Sequence, residues 1–291
     1  MKRPRRATKR TPQRLPETPA GATEDTLLLE RLRTHLGVLG LPDVEEPLSG
    51  HLAWATTAKP SPLVLLERIL GEAAGRVRER RIERRIKQCG LRMRKTLEVF
   101  EWGFQPKLDR ALVEDLATLR FVDNGEDVIL TGRPGTGKSH ILSALALRAC
   151  HKQLHVRYVR CVDMIDTLHA ALADRTFDHK LAAWSRPELL LIDDVGLGQV
   201  KKHDDEPTAA HILFNLLDRR HEEHLSTAIT SNISLSAWGS YLGDATLTAA
   251  ILDRLTMNAI RLNIDGPSYR QHVGRQRAAK YGISQEPTPT D

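Results

Sequence analysis

The eight residues from Gly132 to Ser139 restrict the fold of this chain more than any other segment. They read G-R-P-G-T-G-K-S and match the pattern G-x-x-x-x-G-K-[ST] at every fixed position. An apolar run at 127–131 precedes them, and an apolar helix face that includes Ile141 and Leu145 follows. Glycines at this spacing let successive backbone N–H groups surround phosphate oxygens, because no Cβ obstructs them. The segment predicts a phosphate-binding loop between a strand and a helix.

The rest of the C-terminal two thirds alternates between strand and helix periods. Further strands are predicted at 155–160, 189–192, 227–231 and 259–264, and helices at 162–173, 207–223 and 246–255. This alternation predicts an α/β fold with a parallel sheet that is covered on both faces. The sequence before it has a helical pattern. We predict a disordered basic arm (1–22), a helical N-terminal domain that binds DNA or a partner (23–95), a nucleotide-hydrolysing α/β domain (96–285) and a disordered tail (286–291).

Two acids directly follow the most apolar predicted strand. Leu189 to Ile192 are all apolar, as a central parallel strand requires, and Asp193 and Asp194 come next. Ligands bind at the carboxyl ends of such strands. Asp193 is placed to hold Mg²⁺ with the Ser139 hydroxyl, and Asp194 to polarise an attacking water.

Together the two motifs predict an ATP and Mg²⁺ site. Lys138 would neutralise the outer phosphates and assist hydrolysis. The predicted nucleotide contacts are Gly132, Arg133, Pro134, Gly135, Thr136, Gly137, Lys138, Ser139 and His140.

Two further polar residues are open to more than one interpretation. Asn232 follows the strand at 227–231, where an amide can hold the attacking water, although a lone Asn is often a turn former. Arg254 lies late in a predicted helix. It is either a solvated residue, a partner for Asp253, or an arginine finger that reaches the nucleotide of a neighbouring subunit.

Positive charge is concentrated near the N-terminus. The net charge is +6, yet residues 1–14 alone carry seven basic residues and no acid. A second cluster, 76–95, holds ten basic residues and two acids. The predicted helix that contains this cluster has one apolar stripe (Leu66, Ile69, Leu70, Ala73 and Val77, continued by Ile82 and Ile86), and the cations lie off that stripe. With few acids nearby, Arg78, Arg81, Arg84 and Arg85 are predicted to contact the phosphates of duplex DNA, the alternative being a solvated face.

Several other classes are excluded or disfavoured. The sequence has no apolar run long enough to cross a membrane and no secretory signal, and its three cysteines have no paired spacing, so we expect a cytoplasmic, DNA-associated protein without membrane partners. His221 and His224 lack the spacing of a zinc motif. The loop Lys201–Glu206 is polar, and its role is left open.

Several segments in order resemble the IstB family of insertion-sequence transposition helpers, a branch of the AAA+ ATPases close to DnaC. The likeness covers roughly 26–282. Besides Gly132–Ser139, the segments are Leu191–Leu197, Ile229–Asn232, Ala237–Gly239, Gly243–Asp244, Ala250–Leu255 and Asp265–Arg270. The resemblance implies a prokaryotic protein with a RecA-like AAA+ core, preceded by a small helical domain and without the helical lid of larger members.

The resemblance also implies roles and partners. Lys138 and Ser139 would belong to Walker A, Asp193 and Asp194 to Walker B, Asn232 to sensor 1, Arg254 to the trans-acting finger, and Arg270 is the one sensor 2 candidate. Family members self-assemble through ATP at subunit interfaces, bind duplex DNA and act with a transposase. Asp194 stands where Glu is commoner, so slow hydrolysis is expected. The alternatives to a transposition helper are a DnaC-like helicase loader and a nucleotide-gated DNA scaffold with little turnover.

Overall fold

A computed structural model describes residues 24–198 and 208–280 of the chain. The predicted basic arm, the Lys201–Glu206 loop and the tail 286–291 lie outside the described residues. The described chain divides between Arg80 and Arg81 into two compact units. The domain bounds given above stay predictions.

The first unit contains three helices and the first part of a fourth. They are α1 (Glu24–Leu39), α2 (Pro42–Glu45), α3 (Leu48–Ala58) and α4 (Pro62–Cys89), and α4 continues into the second unit. A small core joins Val44 and Leu48 to Ile69 and Ala73 of α4. The predicted apolar stripe is therefore too wide. Only Ile69 and Ala73 of α4 are buried in this core, whereas Leu66 and Leu70 are 55% and 56% exposed.

The second unit is built on one five-stranded sheet. Its elements after α4 are α5 (Arg110–Leu116), α6 (Arg120–Asp123), β1 (Asp127–Gly132), α7 (Lys138–His151), β2 (Val156–Arg160), α8 (Cys161–Ala173), α9 (Phe177–Ser185), β3 (Leu189–Val195), α10 (Ala209–Glu222), β4 (Ser226–Ser231), α11 (Trp238–Leu242), α12 (Ala245–Met257), β5 (Ala259–Ile264) and α13 (Tyr269–Lys280). All neighbouring strands are parallel, in the order β2-β3-β4-β1-β5. The predicted fold class is confirmed, with all five strands close to their predicted bounds.

Two apolar cores cover the two faces of this sheet. Successive side chains of a strand point to opposite faces. Accordingly Val128 and Leu130 of β1 belong to one core, while Ile129 belongs to the other. Burial on both faces leaves the edge formed by the carboxyl ends of β1, β3 and β4 as the place where polar side chains collect. None of the helices in the described ranges is long and apolar enough to span a membrane.

Candidate nucleotide-binding site

The phosphate loop connects the end of β1 to the first residue of α7, as the sequence predicts. Gly137 has φ +108°, and a Cβ there would lie 2.8 Å from Cε2 of Phe100. Gly135 has φ +86°, and a Cβ there would lie 2.2 Å from Oγ of Ser268. Glycine is therefore needed at both positions, for its backbone conformation and for lack of space.

Lys138 is buried within this loop. Its Nζ donates hydrogen bonds to the carbonyl oxygens of Gly132 (2.7 Å) and Arg133 (2.8 Å). Burial lowers the pKa of Lys138 to about 8, although Asp194 and Asp193 oppose the shift. An anionic ligand in the loop would raise this pKa again, because it favours the charged form.

Ser139 and Asp193 are adjacent at the same sheet edge. The Ser139 hydroxyl donates to Oδ1 of Asp193 across 3.0 Å. A hydroxyl beside a carboxylate provides the hard oxygen ligands that Mg²⁺ prefers, so these residues fit the predicted metal. Elsewhere in the described ranges no group of three or more His, Cys, Asp or Glu side chains is placed to bind a metal. Ser139 and Asp193 would hold the ion, whose chemical contribution when bound is to neutralise phosphate charge.

Two more hydroxyls hold the Asp193 carboxylate, and sequence reasoning missed both. The Thr230 hydroxyl donates to Oδ1 and the Tyr158 hydroxyl to Oδ2. Tyr158 reaches Asp193 because β2 pairs with β3 in a register that sets Tyr158 opposite Leu191. Burial, together with the charge of Asp193, raises the pKa of Tyr158. The Tyr158 phenol therefore remains a hydrogen-bond donor at neutral pH.

Asp194 lies in a local irregularity of β3. Its φ is +62°, in the left-handed region that non-glycine residues rarely occupy, and the β3–β4 register shifts between Ile192 and Val195. The Asp194 N–H donates to Oγ1 of Thr230 at 2.8 Å, which fixes this conformation. Oδ1 of Asp194 accepts a 3.0 Å hydrogen bond from Nδ2 of Asn232. This irregularity is a β-bulge, and it directs the side chains of Asp193 and Asp194 to different partners.

A cavity of about 310 Å³ brings most of the predicted site residues together. Its lining contains Pro134, Gly135, Thr136, Gly137, Lys138, Ser139, His140, Asp194 and Asn232. Gly132 and Arg133 instead line a neighbouring cavity beside β5. The His140 ring bonds to the Thr96 carbonyl through Nε2 at 2.7 Å, and burial lowers its pKa.

One wall of the cavity is apolar and was not predicted as part of the site. Val99, Phe100, Phe104 and Tyr269 form it. The wall combines two segments distant in sequence, 97–105 and 265–270, so no local motif marks it. An apolar wall next to a phosphate loop suits a ligand with a flat ring at one end and phosphates at the other.

The two candidate arginines are placed differently. Arg254 lies away from the cavity lining and forms an ion pair with Asp218 of α10, with its guanidinium 4.6 Å from the Phe214 ring centre. Its partner is therefore Asp218 and not the neighbouring Asp253. Arg270, in contrast, lines the cavity.

The second cluster of basic residues is more often paired than the sequence indicated. Arg76 pairs with Glu46 and Glu72, Arg80 with Asp43, Arg92 with Asp163, and Arg94 with Glu83. All of these acids except Glu83 lie outside the segment 76–95, which is why a count within that segment missed them.

Four cations of α4 were predicted to contact DNA. Arg85 is only half-exposed and donates through Nη1 to the Leu154 carbonyl at 3.0 Å. Arg78, Arg81 and Arg84 are exposed and have no ion-pair partner within the described ranges. These three are therefore the most accessible members of the predicted DNA-facing set, and the role of all four in DNA binding stays a prediction.

A parallel five-stranded sheet with a phosphate loop after β1 and paired acids in β3 defines a P-loop protein of the AAA+ class. In fold the chain is similar to AMPPCP-bound DnaA from Aquifex aeolicus, with a TM-score of 0.50 and 18% identity over 68% of this chain and 58% of that chain.

The family is shown by sequence: the chain belongs to the IstB-like ATP binding protein family, whose model matches residues 34–277. It is 32% identical to the ATP-binding protein of insertion sequence IS5376 from Geobacillus stearothermophilus, over 86% of this chain and 98% of that relative. It is 38% identical to the ATP-binding protein of insertion sequence IS21 from Pseudomonas aeruginosa, over 66% of this chain and 70% of that relative. The predicted family resemblance is confirmed.

Proposed function

We propose that this chain is an ATP-dependent, DNA-binding helper of DNA transposition, which assembles on target duplex DNA and recruits or activates a partner transposase. One observation carries the nucleotide part: Lys138, Ser139, Asp194 and Asn232 line one cavity, with Asp193 hydrogen-bonded to Ser139. The names of the relatives, which belong to insertion sequences, support the transposition part.

In the proposed reaction, each side chain of the cavity has a different role. Lys138 would leave its loop carbonyls and neutralise the β- and γ-phosphates. The Asp194 carboxylate would accept a hydrogen bond from the attacking water, and the Asn232 amide would hold that carboxylate and the water in place. The apolar wall, including Phe100, would exclude bulk water from the nucleotide base. ATP hydrolysis to ADP and phosphate is the proposed reaction.

The DNA part depends on the exposed cations of α4. Arg78, Arg81 and Arg84 recur at i, i+3 and i+6, a spacing that keeps them near one side of a helix. Phosphates are the polyanion that an array of guanidinium groups binds, and such contacts carry no base specificity. We infer that these arginines follow the DNA backbone while the second unit binds ATP.

Capture of the transposase tests this proposal directly. Immobilised duplex DNA is loaded with the protein and ATP, washed, and offered the purified transposase of the same insertion sequence. The proposal expects transposase to be retained only when protein, ATP and duplex are all present. If a purified replicative helicase is retained instead of the transposase, the chain is a helicase loader. If neither is retained and no phosphate is released with DNA, the chain is a nucleotide-gated scaffold.

A further inference from the structure

The C-terminal helix α13 starts in direct contact with the phosphate loop. The backbone N–H of Tyr269, its first residue, donates to the Gly135 carbonyl at 3.0 Å. Ser268 lies so close to Gly135 that no Cβ would fit between them. A change in the backbone conformation of the loop would therefore displace the first turn of α13.

A second segment of the cavity wall holds the same turn from the other side. The Tyr269 hydroxyl donates to Glu101, and Nε2 of Gln105 donates to the Pro267 carbonyl at 2.9 Å. The Phe104 ring packs against Tyr269 and His272, with centroid distances of 5.2 and 4.9 Å. The start of α13 is thus fixed between two segments that both line the nucleotide cavity.

The rest of α13 is strongly cationic. Its twelve residues include four Arg or Lys and no acid, and none of the twelve is buried. Arg275 and Arg277 are exposed and form no ion pair with any residue that the structure describes. Arg270, Arg277 and Lys280 recur at i, i+7 and i+10, which places them within roughly 80° of one another around the helix axis.

This composition selects among possible partners. A helix that lies on a membrane needs a broad apolar face of Trp, Phe or Leu, and α13 has none of these residues. A helix that packs on a protein needs apolar area, which here amounts to Val273 and two alanines beyond the first residue. A row of guanidinium groups without acids instead complements a regular polyanion.

We propose that α13 is a second contact with the phosphates of duplex DNA, and that the phosphate loop sets its position, so that nucleotide in the cavity changes this contact. The inference rests on the proposed function in one respect, since it takes duplex DNA as the polyanion. It adds a surface remote from the α4 arginines in sequence and a route from nucleotide to DNA through the bond between Tyr269 and Gly135.

The charge of α13 is tested with two single variants of equal charge change. Arg277→Gln removes the exposed arginine of the α13 row; the control, Arg120→Gln, removes an arginine that pairs with Asp115. Duplex affinity is measured by fluorescence anisotropy over a salt series with a non-hydrolysable ATP analogue. Each phosphate contact contributes ~0.9 to the slope of log affinity against log salt, so the slope of the α13 variant should be shallower by about that amount. The control should keep the wild-type slope.

The coupling part is tested at Tyr269. Tyr269→Pro removes the N–H that bonds to Gly135, at a helix position where proline is well tolerated. Tyr269→Ala removes the same side chain but keeps the N–H. Both variants lose the same ring of the cavity wall, so they are compared with each other, each saturated with nucleotide. The affinity gain for duplex that nucleotide produces should be smaller in Tyr269→Pro than in Tyr269→Ala.

The outcomes separate this inference from the proposed function. Wild-type protein that binds no duplex in any nucleotide state overturns the proposed function. If wild-type protein binds duplex but the α13 variant has the same salt slope as wild type, the proposed α13 contact is wrong and the proposed function still stands. An equal nucleotide effect in Tyr269→Pro and Tyr269→Ala overturns the coupling through Gly135.

Discussion

The Nδ2 atom of Asn232 donates a hydrogen bond to Oδ1 of Asp194 across 3.0 Å, and so joins the residue after β4 to the bulge in β3. Asp194 occupies a left-handed backbone conformation, which costs about 1–3 kcal/mol and persists only where the surroundings enforce it. The bond from the Asp194 N–H to Thr230 supplies part of that enforcement. The backbone strain separates two consecutive carboxylates, so that Asp193 remains with Ser139 while Asp194 faces the cavity.

The first prediction follows from this separation. Asp194→Asn keeps the side chain's shape but loses the charge proposed to polarise the attacking water. ATP should bind with near wild-type affinity, while turnover should fall by at least about 100-fold, as is typical when a general base is lost. Phosphate release and equilibrium nucleotide binding measure the two effects. Asp253→Asn, an exposed acid on α12, is the control and should leave both unchanged. Undiminished turnover in Asp194→Asn would place the catalytic acid elsewhere.

The second prediction concerns pH. In the free protein burial holds the pKa of Lys138 near 8, and bound phosphates should raise it. Below pH 8 the ammonium is charged with or without ATP, so affinity depends little on this group. Above pH 8 binding must take up a proton, so affinity should decline as pH rises, at most tenfold per unit.

Calorimetry in two buffers of different ionisation enthalpy measures that proton uptake. Lys138→Arg is the control, because arginine stays charged throughout this range and should flatten the decline. The same alkaline decline in Lys138→Arg would assign the titration to another group.

The third prediction distinguishes two roles for Arg254. If its pair with Asp218 is only structural, Arg254→Ala and Asp218→Ala should lower thermal stability alike and affect turnover little. If Arg254 reaches a neighbouring subunit's nucleotide, Arg254→Ala should lose turnover by about 10³-fold or more, while each subunit still binds ATP. Mixing it with Lys138→Ala subunits should then restore part of the activity, since each variant supplies what the other lacks. We expect this restoration. Its absence at every mixing ratio would contradict a trans-acting finger.

The fourth prediction concerns the α4 arginines. Changing Arg81 and Arg84 to Glu should weaken binding to all duplex sequences alike and lower the salt slope by about two phosphate contacts, ~0.9 each. Arg76→Glu/Arg80→Glu makes the same charge change at arginines that pair with Glu46, Glu72 and Asp43. That control should mainly lower thermal stability. Equal salt slopes for wild type and Arg81→Glu/Arg84→Glu would remove α4 from the DNA interface.

The local parts of the site were predictable from sequence. The glycine and lysine spacing from Gly132 to Ser139 predicts a phosphate-binding loop with a strand before it and a helix after it. The structure has these elements, since β1 ends at Gly132 and α7 begins at Lys138. Likewise, four apolar residues before Asp193 predict a central strand that ends at the ligand edge. In both cases the local structure is determined by residues that are adjacent in the sequence.

The remaining parts depend on pairings between distant segments. Tyr158 reaches Asp193 only through the β2–β3 register, and the left-handed Asp194 depends on Thr230 of β4. The acids that pair with Arg80 and Arg92 lie 37 and 71 positions away along the chain. Local charge counting therefore overestimates the free basic surface, and it does not reveal that Arg85 donates to the Leu154 carbonyl of the protein itself.

The most direct test of the account compares duplex DNA affinity with and without ATP and Mg²⁺, in wild type and in Lys138→Ala. Ser139 and Asp193 are left intact, so only the cation proposed to neutralise the phosphates is lost. The account predicts that ATP raises wild-type affinity for duplex by at least about tenfold, or 1.4 kcal/mol, and leaves Lys138→Ala unchanged. Lys138→Ala that still assembles on DNA in an ATP-dependent way would contradict it, as would wild-type binding that ignores ATP.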